Sequence, residues 1–563
     1  MERRRFLQTT AIGLTAGMAG QLASADPAEG EVRQVKRFLS VQENGYFAFD
    51  DGEPFLPLGG FYGNFVHRVE EGQVLEDRIG SIRDSSEAEK RAWFQLLAEN
   101  GVNCLRIMSR DHNKRGVDEW DKVGALNEPL LETWEQYWDV ALEYGIRILP
   151  TIHESFYATY APYRNPETMS AMVVPLYGEG EIAKLPDYRR RLLEGKPIDA
   201  QGTYADPDMI RARNDYVDAL IPRLREHPSI LLYELENEQE IGIYDWTNRN
   251  IAWIREHDAK TPVCISHSGA GLMTADPIPH SRRTGIDFYS YHIYPVDRVC
   301  QPEFDYGMAV SMLARYAMLG VPAGAGEAGS HILEGGPDGR WRYAIARDTA
   351  WMPFLSGNNH IMFWDAAHPE VVACKGVSEA AELLELAGFR RKRPGIAVDV
   401  SHPLDDDIHF RGEEGYALYT NMGRYENHFA RLGVDFDYTF GGEGYDTVLP
   451  GDRFEPHAPE ARPFVLSAGY QMKSLSSASD YVLVAYIRNE GENVHVGKDW
   501  FAGWVRKPVP ARFELDVTLP GTYEGFLHTF DDESREDVRI DGQGRLAKPG
   551  PTDRDFWLYL RRV

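Results

Sequence analysis

The sequence predicts an α/β protein: a (β/α)8 barrel of the TIM type, followed by a small α/β segment and a C-terminal antiparallel β-sandwich. Three observations predict it. Eight short apolar runs alternate with amphipathic helical segments over about 310 residues, the count and size of such a barrel. The runs are apolar enough to be buried on both faces, as parallel strands under helices are. Polar and titratable side chains concentrate at their C-terminal ends, where this architecture places chemistry. A doubly wound open sheet is the alternative. It would carry a glycine-rich phosphate loop after an early strand, and no such loop is found.

The elements follow in order. "GYFAFDDGEPFLPLGGFYGNF" reads as a short hairpin leading into a first strand near Leu56 to Phe61, with "FYGN" (61–64) at its end and able to help bind a ligand. The next seven runs are "GVNCLRIM" (101–108), "GIRILPTIHE" (145–154), "SILLYELENE" (229–238), "TPVCISHS" (261–268), "GIDFYSYHIYP" (285–295), "VPAGAGEAG" (321–329) and "NHIMFWD" (359–365). A helix begins at Ser86, with Glu89 three residues on as a capping box, and carries Trp93, Leu96 and Leu97. Another has Leu130, Trp134, Trp138 and Ala141 at helical spacing and stops at Gly145.

The connection from 155 to 228 is long and holds "SFYATYAPYRNP", "MVVPLYGEGE" and the basic run Arg189 to Arg191. Long loops after barrel strands carry specificity, so it is expected to wall the cleft and supply aromatic platforms; a peripheral subdomain is the other reading. The barrel should occupy 40–375. A short helix, "SEAAELLELAGF", then leads into "RRKRP", read as a domain boundary. Residues 390–455 mix strand and helix, and 460–563 alternate apolar and polar residues as a β-sandwich does. That last module could bind a ligand or brace the barrel; without an exposed aromatic row, bracing is favoured.

Composition narrows the partners. A formal net charge of -27 over 563 residues argues against nucleic acid or an anionic membrane surface and fits a neutral substrate. Residues 1–25, with Arg3, Arg4, Arg5, Phe6 and Leu7, a weakly apolar run and Ala23-Ser24-Ala25, read as a twin-arginine-type export signal. Glu2 and Gln8 depart from that pattern, and a basic start on a short buried helix is the alternative. The signal implies a periplasmic or extracellular protein. No other apolar stretch reaches membrane-spanning length. Four scattered cysteines, Cys104, Cys264, Cys300 and Cys374, form neither a disulfide framework nor a zinc-ligand spacing and read as buried thiols. No metal and no cofactor are expected.

The strand ends, taken as one ring, carry Arg106, His153, Asn237, Glu238, His292, Tyr294, Glu327 and Trp364. Singly, Arg106 could be an ion-pair partner, His153 a core histidine and Trp364 plain packing. Together they crowd one rim. Glu238 and Glu327 end strands four and seven, and glycosidic hydrolysis needs two such carboxyls. A gap of about 5–5.5 Å gives covalent, retaining chemistry, and a wider one leaves room for water.

The motifs "GVNCLR", "YELENE", "HIY", "GEAG" and "FWD", in this order over roughly 40–375, resemble the retaining glycoside hydrolases of clan A, closest to glycoside hydrolase family 5. Residues 395–450 faintly resemble the α/β domain after the barrel of family 42 enzymes. The resemblance implies a β-linked carbohydrate substrate cleaved by double displacement. It makes Glu238 the acid/base and Glu327 the nucleophile, with Asn237 bonding the sugar 2-hydroxyl and Tyr294 holding Glu327. Arg106 would keep Glu327 ionised, His153 and His292 would line the sugar site, and Trp364 would form its stacking floor. One departure is visible: family 5 has proline after the acid/base, and here Gln239 stands. A non-catalytic carbohydrate-binding barrel, or a transglycosylase using the same residues, are the competing functions.

The stretch "YELENEQE" sets Glu234, Glu236, Glu238 and Glu240 at alternate positions. Asn237 and Glu238 are adjacent yet must both face a sugar, so the strand should be bulged or irregular at its end. Glu234 and Glu236 are then structural carboxylates, paired with basic groups or water, and Glu240 faces solvent.

Overall fold

Leu39–Val41, Phe47–Phe49 and Pro54–Phe55 pair as a small antiparallel sheet, the hairpin expected before the first barrel strand. The structure is a computed structural model that describes residues 36–563 other than 64, 109–127, 155–206, 240–242, 268–276, 296–299, 302, 330–339, 365–366, 402–411, 480 and 499–500. Arg37–Val563 is one unit, separate from Met1–Lys36, and the architecture is that of the former. The export-signal segment lies outside the described residues.

Eight parallel strands close a barrel: β1 (Leu58–Tyr62), β2 (Cys104–Met108), β3 (Arg147–Glu154), β4 (Tyr233–Asn237), β5 (Val263–His267), β6 (Phe288–Ile293), β7 (Ala323–Ala328) and β8 (Ile361–Phe363). Each pairs with its sequence neighbours, and β8 returns to β1 through Ile361–Leu58 and Phe363–Gly60. Gly60, at φ +68°, is required there because a Cβ would lie 2.3 Å from that of Met362.

A helix follows every strand: α1 (Glu87–Glu99), α2 (Glu128–Glu143), α3 (Pro207–Glu226), α4 (Tyr244–His257), α5 (Pro277–Arg283), α6 (Tyr306–Ala317), α7 (Arg340–Ser356) and α8 (His368–Leu384). The capping box of α1 is formed, with the Glu89 N–H donating to Ser86 Oγ and the Ser86 N–H donating back to the Glu89 carboxylate. Trp93, Leu96 and Leu97 of α1 and Trp134, Trp138 and Ala141 of α2 are buried against the strands. Gly145 ends the turn after α2 at φ +76°.

Two elements differ from the sequence reading. A hairpin, Phe65–Glu70 with Gln73–Ser81, stands between β1 and α1. Its turn places Glu71 at φ +51° and Gly72 at φ +77°, the left-handed pair that a two-residue hairpin turn needs. The "SEAAELL" segment is the second half of the longer α8.

One end of the barrel is closed. Leu39, Phe47, Phe49 and Phe55 pack on Leu149, Leu231, Cys264, Phe288 and Met362, at or near the strand starts, and Phe47 meets Phe288 edge to face at 5.1 Å. The strand C-termini are at the other end.

After the barrel, β9 (Ile396–Asp399) lies between β10 (Asp437–Thr439) and β11 (Thr447–Pro450) in a parallel sheet, with α9 (Gly412–Leu432) connecting β9 to β10. The basic segment that precedes it is anchored: Arg391 donates to Asp437 at 2.6 Å and to Asp435 at 2.7 Å. An antiparallel sheet follows, of β12 (Phe464–Leu466), β13 (Tyr470–Ser476), β14 (Val482–Asn489), β17 (Ala511–Thr529), β18 (Ser534–Thr552) and β19 (Phe556–Arg562). The hairpin of β15 (Glu492–Lys498) and β16 (Phe501–Lys507) leaves it to pack on α6 and α7.

A buried polar network ties this sheet to the barrel. Arg506 Nε donates to Asp348 Oδ2 at 2.8 Å, its Nη1 to Asp555 Oδ1 at 2.9 Å and its Nη2 to the Tyr486 hydroxyl at 2.7 Å. Arg488 reaches Asp305, the residue that caps α6 by accepting from the Met308 N–H. The helices so braced follow β6 and β7. All four cysteines are buried and free.

Candidate active site

Along β4 the pleat alternates as a barrel strand should. The Tyr233 hydroxyl donates to Asp258 Oδ2 at 3.0 Å on the helix side, while Glu234 and Glu236 stand level with Thr151 and His153 of β3. The strand ends at Asn237, and Glu238 turns to φ +48°, a left-handed backbone that a glutamate seldom adopts. That turn breaks the alternation and is held from β5: the Glu238 N–H donates to Ser266 Oγ at 2.9 Å and the Gln239 N–H to the Ser266 carbonyl at 2.8 Å. Asn237 and Glu238 can therefore both serve the mouth. Such strain clusters at functional positions.

A second irregularity aims Glu327. Tyr291 of β6 pairs with Ala325 of β7, and the next pair is His292 with Glu327, so Gly326 is the extra residue of a bulge. Only glycine fits there, since a Cβ would sit 2.0 Å from Ser290 Oγ.

The two devices bring the glutamates together. One carboxylate oxygen of Glu238, one of Glu327 and a ring nitrogen of His292 all lie within 4.8 Å of one another. His292 Nδ1 is 3.2 Å from Glu238 Oε1 and 3.4 Å from Glu327 Oε2. Tyr294 donates its hydroxyl to Glu327 Oε2 at 2.5 Å. Arg106, buried on β2, donates from Nη1 to Glu327 Oε1, from Nη2 to Asn237 Oδ1 at 2.7 Å and from Nε to Glu234 Oε2 at 2.7 Å. Each Glu327 oxygen thus already accepts a hydrogen bond, one of them from a cation, a poor arrangement for a metal ligand.

Burial raises the Glu327 carboxyl above its ordinary value; His292 and Arg106 pull it down, Glu238 pushes it up, and the Tyr294 hydrogen bond lowers it. Arg106 acts in the expected direction, but burial outweighs it. The Tyr294 phenol is pushed well up, by burial first and then by the charges of Glu327 and Glu238, so it stays a hydrogen-bond donor. Burial would raise Glu234 too, yet Arg106 brings it below the usual carboxylate range.

The remaining expected residues are placed as follows. His153 is buried, edge-on to Trp246 with ring centres 6.0 Å apart. Trp364 follows β8 directly, half-buried, with its N–H donating to the Ala328 carbonyl at 2.9 Å. Phe61 is core, stacked on Phe363 at 5.8 Å and 6.4 Å from Trp93 of α1, so this residue of "FYGN" is taken up by packing. Glu240 and the 155–206 connection lie outside the described residues. Sequence reasoning missed Thr151 and Ser266 altogether, and for Gln239 it missed the backbone bond. Each acts through a register or a backbone bond that only the closed barrel creates, although Gln239 was marked by its departure from the family motif.

No protein-family model matches the chain. In sequence it is similar to the protein named probable mannan endo-1,4-β-mannosidase A-1 of Aspergillus terreus, 27% identical over 323 residues, covering 51% of this chain and 68% of that protein. Mannan endo-1,4-β-mannosidase F of Aspergillus fumigatus is 29% identical over 102 residues, with 16% of this chain and 22% of that protein covered. Among solved structures, the exo-β-1,4-mannosidase Op5Man5 from Opitutaceae bacterium strain TAV5 aligns with a TM-score of 0.49 and 15% identity, over 71% of this chain and 72% of that one. The closed barrel carries the polar motifs at its strand ends and the sequence is similar to proteins named mannan endo-1,4-β-mannosidase, so the chain is a glycosidase of O-glycosyl compounds.

Proposed function

We propose that the protein is a secreted retaining β-glycoside hydrolase in which Glu238 is the acid/base and Glu327 the nucleophile. The observation that carries this reading is the approach of the two carboxylates within 4.8 Å across the barrel mouth. One oxygen from each carboxylate coming this close supports the retaining geometry of about 5–5.5 Å over the wider inverting one.

In the first step a Glu327 oxygen attacks the anomeric carbon while Glu238 gives its proton to the glycosidic oxygen, and the carbon–oxygen bond breaks. The sugar is then held as an ester of Glu327. Glu238, now a carboxylate, takes a proton from water; that oxygen attacks the same carbon and releases Glu327. Two displacements preserve the anomer. Tyr294 and Arg106 hold the nucleophile, Asn237 is turned toward the sugar 2-hydroxyl, and Trp364 is the floor. His153 and His292 line the site.

The relatives' names support β-1,4-linked mannose, in mannan or its oligosaccharides, as the substrate class. The test is turnover on mannan, glucan, galactan and aryl β-glycosides, with the anomer of the first product read by NMR. Retention and loss of turnover in Glu327→Ala are expected, with Glu238→Ala rescued by azide on a substrate with a good leaving group. Full activity in Glu327→Ala overturns the proposal, and binding without turnover across the panel would make the barrel a lectin-like one. Transfer to added sugar in preference to water would make it a transglycosylase.

Three further parts belong to this reading. Export through a twin-arginine-type signal is supported by the Arg3–Leu7 motif and tested by loss of export in Arg3→Lys with Arg4→Lys. No helix among the described residues is long and apolar enough to cross a membrane. The region from about 460, read as a β-sandwich from the alternate burial along β17, braces α6 and α7.

A further inference from the structure

Glu234 is a buried carboxylate that the double displacement does not use. It lies on β4, four residues before Glu238, and 1% of it is exposed. A charge so enclosed needs a compensating partner. It has Arg106, whose Nε and Nη2 both lie 2.7 Å from Glu234 Oε2, and the Thr151 hydroxyl, which donates to the same oxygen from the adjoining β3. Thr151 and Glu234 are direct register partners, so the two side chains meet at one level of the barrel interior.

The remaining arm of the same guanidinium, Nη1, reaches Glu327 Oε1, and Nη2, on the Glu234 side, also donates to Asn237 Oδ1. An arginine side chain is long and has several rotatable bonds, but its head is planar. Fixing one edge of that plane fixes where the other arms point. One edge is held by Glu234, which Thr151 holds in turn; the far arm meets the proposed nucleophile.

We infer that Glu234, clamped by Thr151, is a positioning residue that aims Arg106 at Glu327 and Asn237 and shares its positive charge with the nucleophile. The inference rests on the proposed role of Glu327. It deepens that reading by giving a second strand-four glutamate a part in the reaction, without contact to the sugar. The groups facing Glu327 are Arg106, Glu238, His292, Tyr294 and, through Arg106, Glu234. Charge sharing has a direction. With Glu234 neutral, the whole guanidinium charge falls on Glu327, stabilises its ionised form and weakens it as a nucleophile.

The experiment compares wild type, Glu234→Gln, Glu234→Asp and Thr151→Val in full-length enzyme on an aryl β-mannoside. Folding is checked by circular dichroism and thermal melting. Glu234→Gln keeps the shape and one acceptor while removing the charge. It should lower kcat by about 10- to 100-fold, the scale of a misaimed group, with KM nearly unchanged and the acid limb of kcat/KM displaced to lower pH. Glu234→Asp should recover part of kcat, and Thr151→Val should lose less than Glu234→Gln. Slower labelling of Glu327 by a 2-deoxy-2-fluoro glycoside, followed by mass spectrometry, should accompany the kcat loss.

A merely structural role would cost stability without moving the acid limb, and that outcome overturns the inference. So does wild-type kcat in a folded Glu234→Gln enzyme. If Glu234→Gln does not fold, a wild-type labelling rate in Thr151→Val decides against it. Glu327→Ala run alongside separates the two readings: if that variant is inactive while the Glu234 and Thr151 variants behave as wild type, only the positioning role falls. If Glu327→Ala turns over normally, the proposed function itself falls.

Discussion

Ser266 holds Gln239 by its backbone: the Gln239 N–H donates to the Ser266 carbonyl at 2.8 Å, next to the bond from the Glu238 N–H to the Ser266 hydroxyl. A proline, which the family pattern places after the acid/base, has no N–H to give. It also disfavours helical backbone in the residue before it, here Glu238 at φ +48°.

Restoring the family residue should therefore harm this enzyme. Gln239→Pro is expected to lose about 1 kcal/mol for the backbone bond and to lower kcat, whereas Gln239→Ala keeps that bond and should retain more activity. Denaturant unfolding and steady-state kinetics on both variants check this. Wild-type kcat in Gln239→Pro would show that the Ser266 bond does not place Glu238.

As the proposed nucleophile, Glu327 must be ionised to attack. Because burial lifts Glu327 above its ordinary value of 4.5, activity should fall with decreasing pH on an acid limb lying above that value. Arg106 and the Tyr294 hydroxyl both favour the ionised form, so removing either raises the pKa and moves the limb to higher pH. Arg106→Gln and Tyr294→Phe are thus expected to shift it upward. Tyr294→Phe should also cost about 10- to 100-fold in kcat, for a hydrogen bond to a charged group worth about 1.5–3 kcal/mol. pH profiles of kcat/KM read both effects, and a downward shift in either variant would contradict the geometry.

Gly326 is the bulge that turns Glu327 inward. Gly326→Ala adds a methyl 2.0 Å from Ser290 Oγ and 3.2 Å from His292 Nε2. Relief turns Ser290 Oγ away from His360, to which it bonds at 2.9 Å, and presses on Ser290 Cβ at 3.0 Å, so the variant should lose about 1–3 kcal/mol and much of its activity. Thermal melting with kinetics tests it, and unchanged kcat would mean that the bulge is not what aims the nucleophile.

The brace between sheet and barrel is electrostatic and buried. Arg506→Met would take the bridging cation from Asp348 and Asp555, each at most 1% exposed, leaving Asp348 to Arg488 and Asp555 to Arg347, and should destabilise by about 3 kcal/mol, the lower end for breaking a buried pair. Burial would raise the Asp555 carboxyl, but Arg506 and Arg347 bring it down to about 2, against an ordinary 3.8. A carboxyl lowered in the folded state stabilises above its unfolded value and loses that contribution as pH falls through the folded one. Stability should therefore drop by about 2 to 3 kcal/mol between pH 3.8 and about 2 from this group. Urea titrations across that window should show the drop in wild type and not in Asp555→Asn, whose own stability is lower throughout.

Alternating apolar runs and capped helices were enough to determine the barrel, because burial on two faces and helical periodicity are local properties of the chain. The same holds for the rim residues Arg106, Asn237, Glu238, His292, Tyr294 and Glu327, since a closed parallel barrel collects all its strand ends at one mouth. Other features are not local. Glu238 and Asn237 face the same way only because Ser266, from another strand, holds a left-handed turn. Glu327 faces inward only because β6 and β7 pair with one residue to spare. The hairpin after β1 was missed because its exposed, polar turn carries little hydrophobic signal. Tertiary structure alone decided that Glu234 pairs with Arg106 and that burial outweighs Arg106 at Glu327, because register and desolvation exist only once the ring has closed.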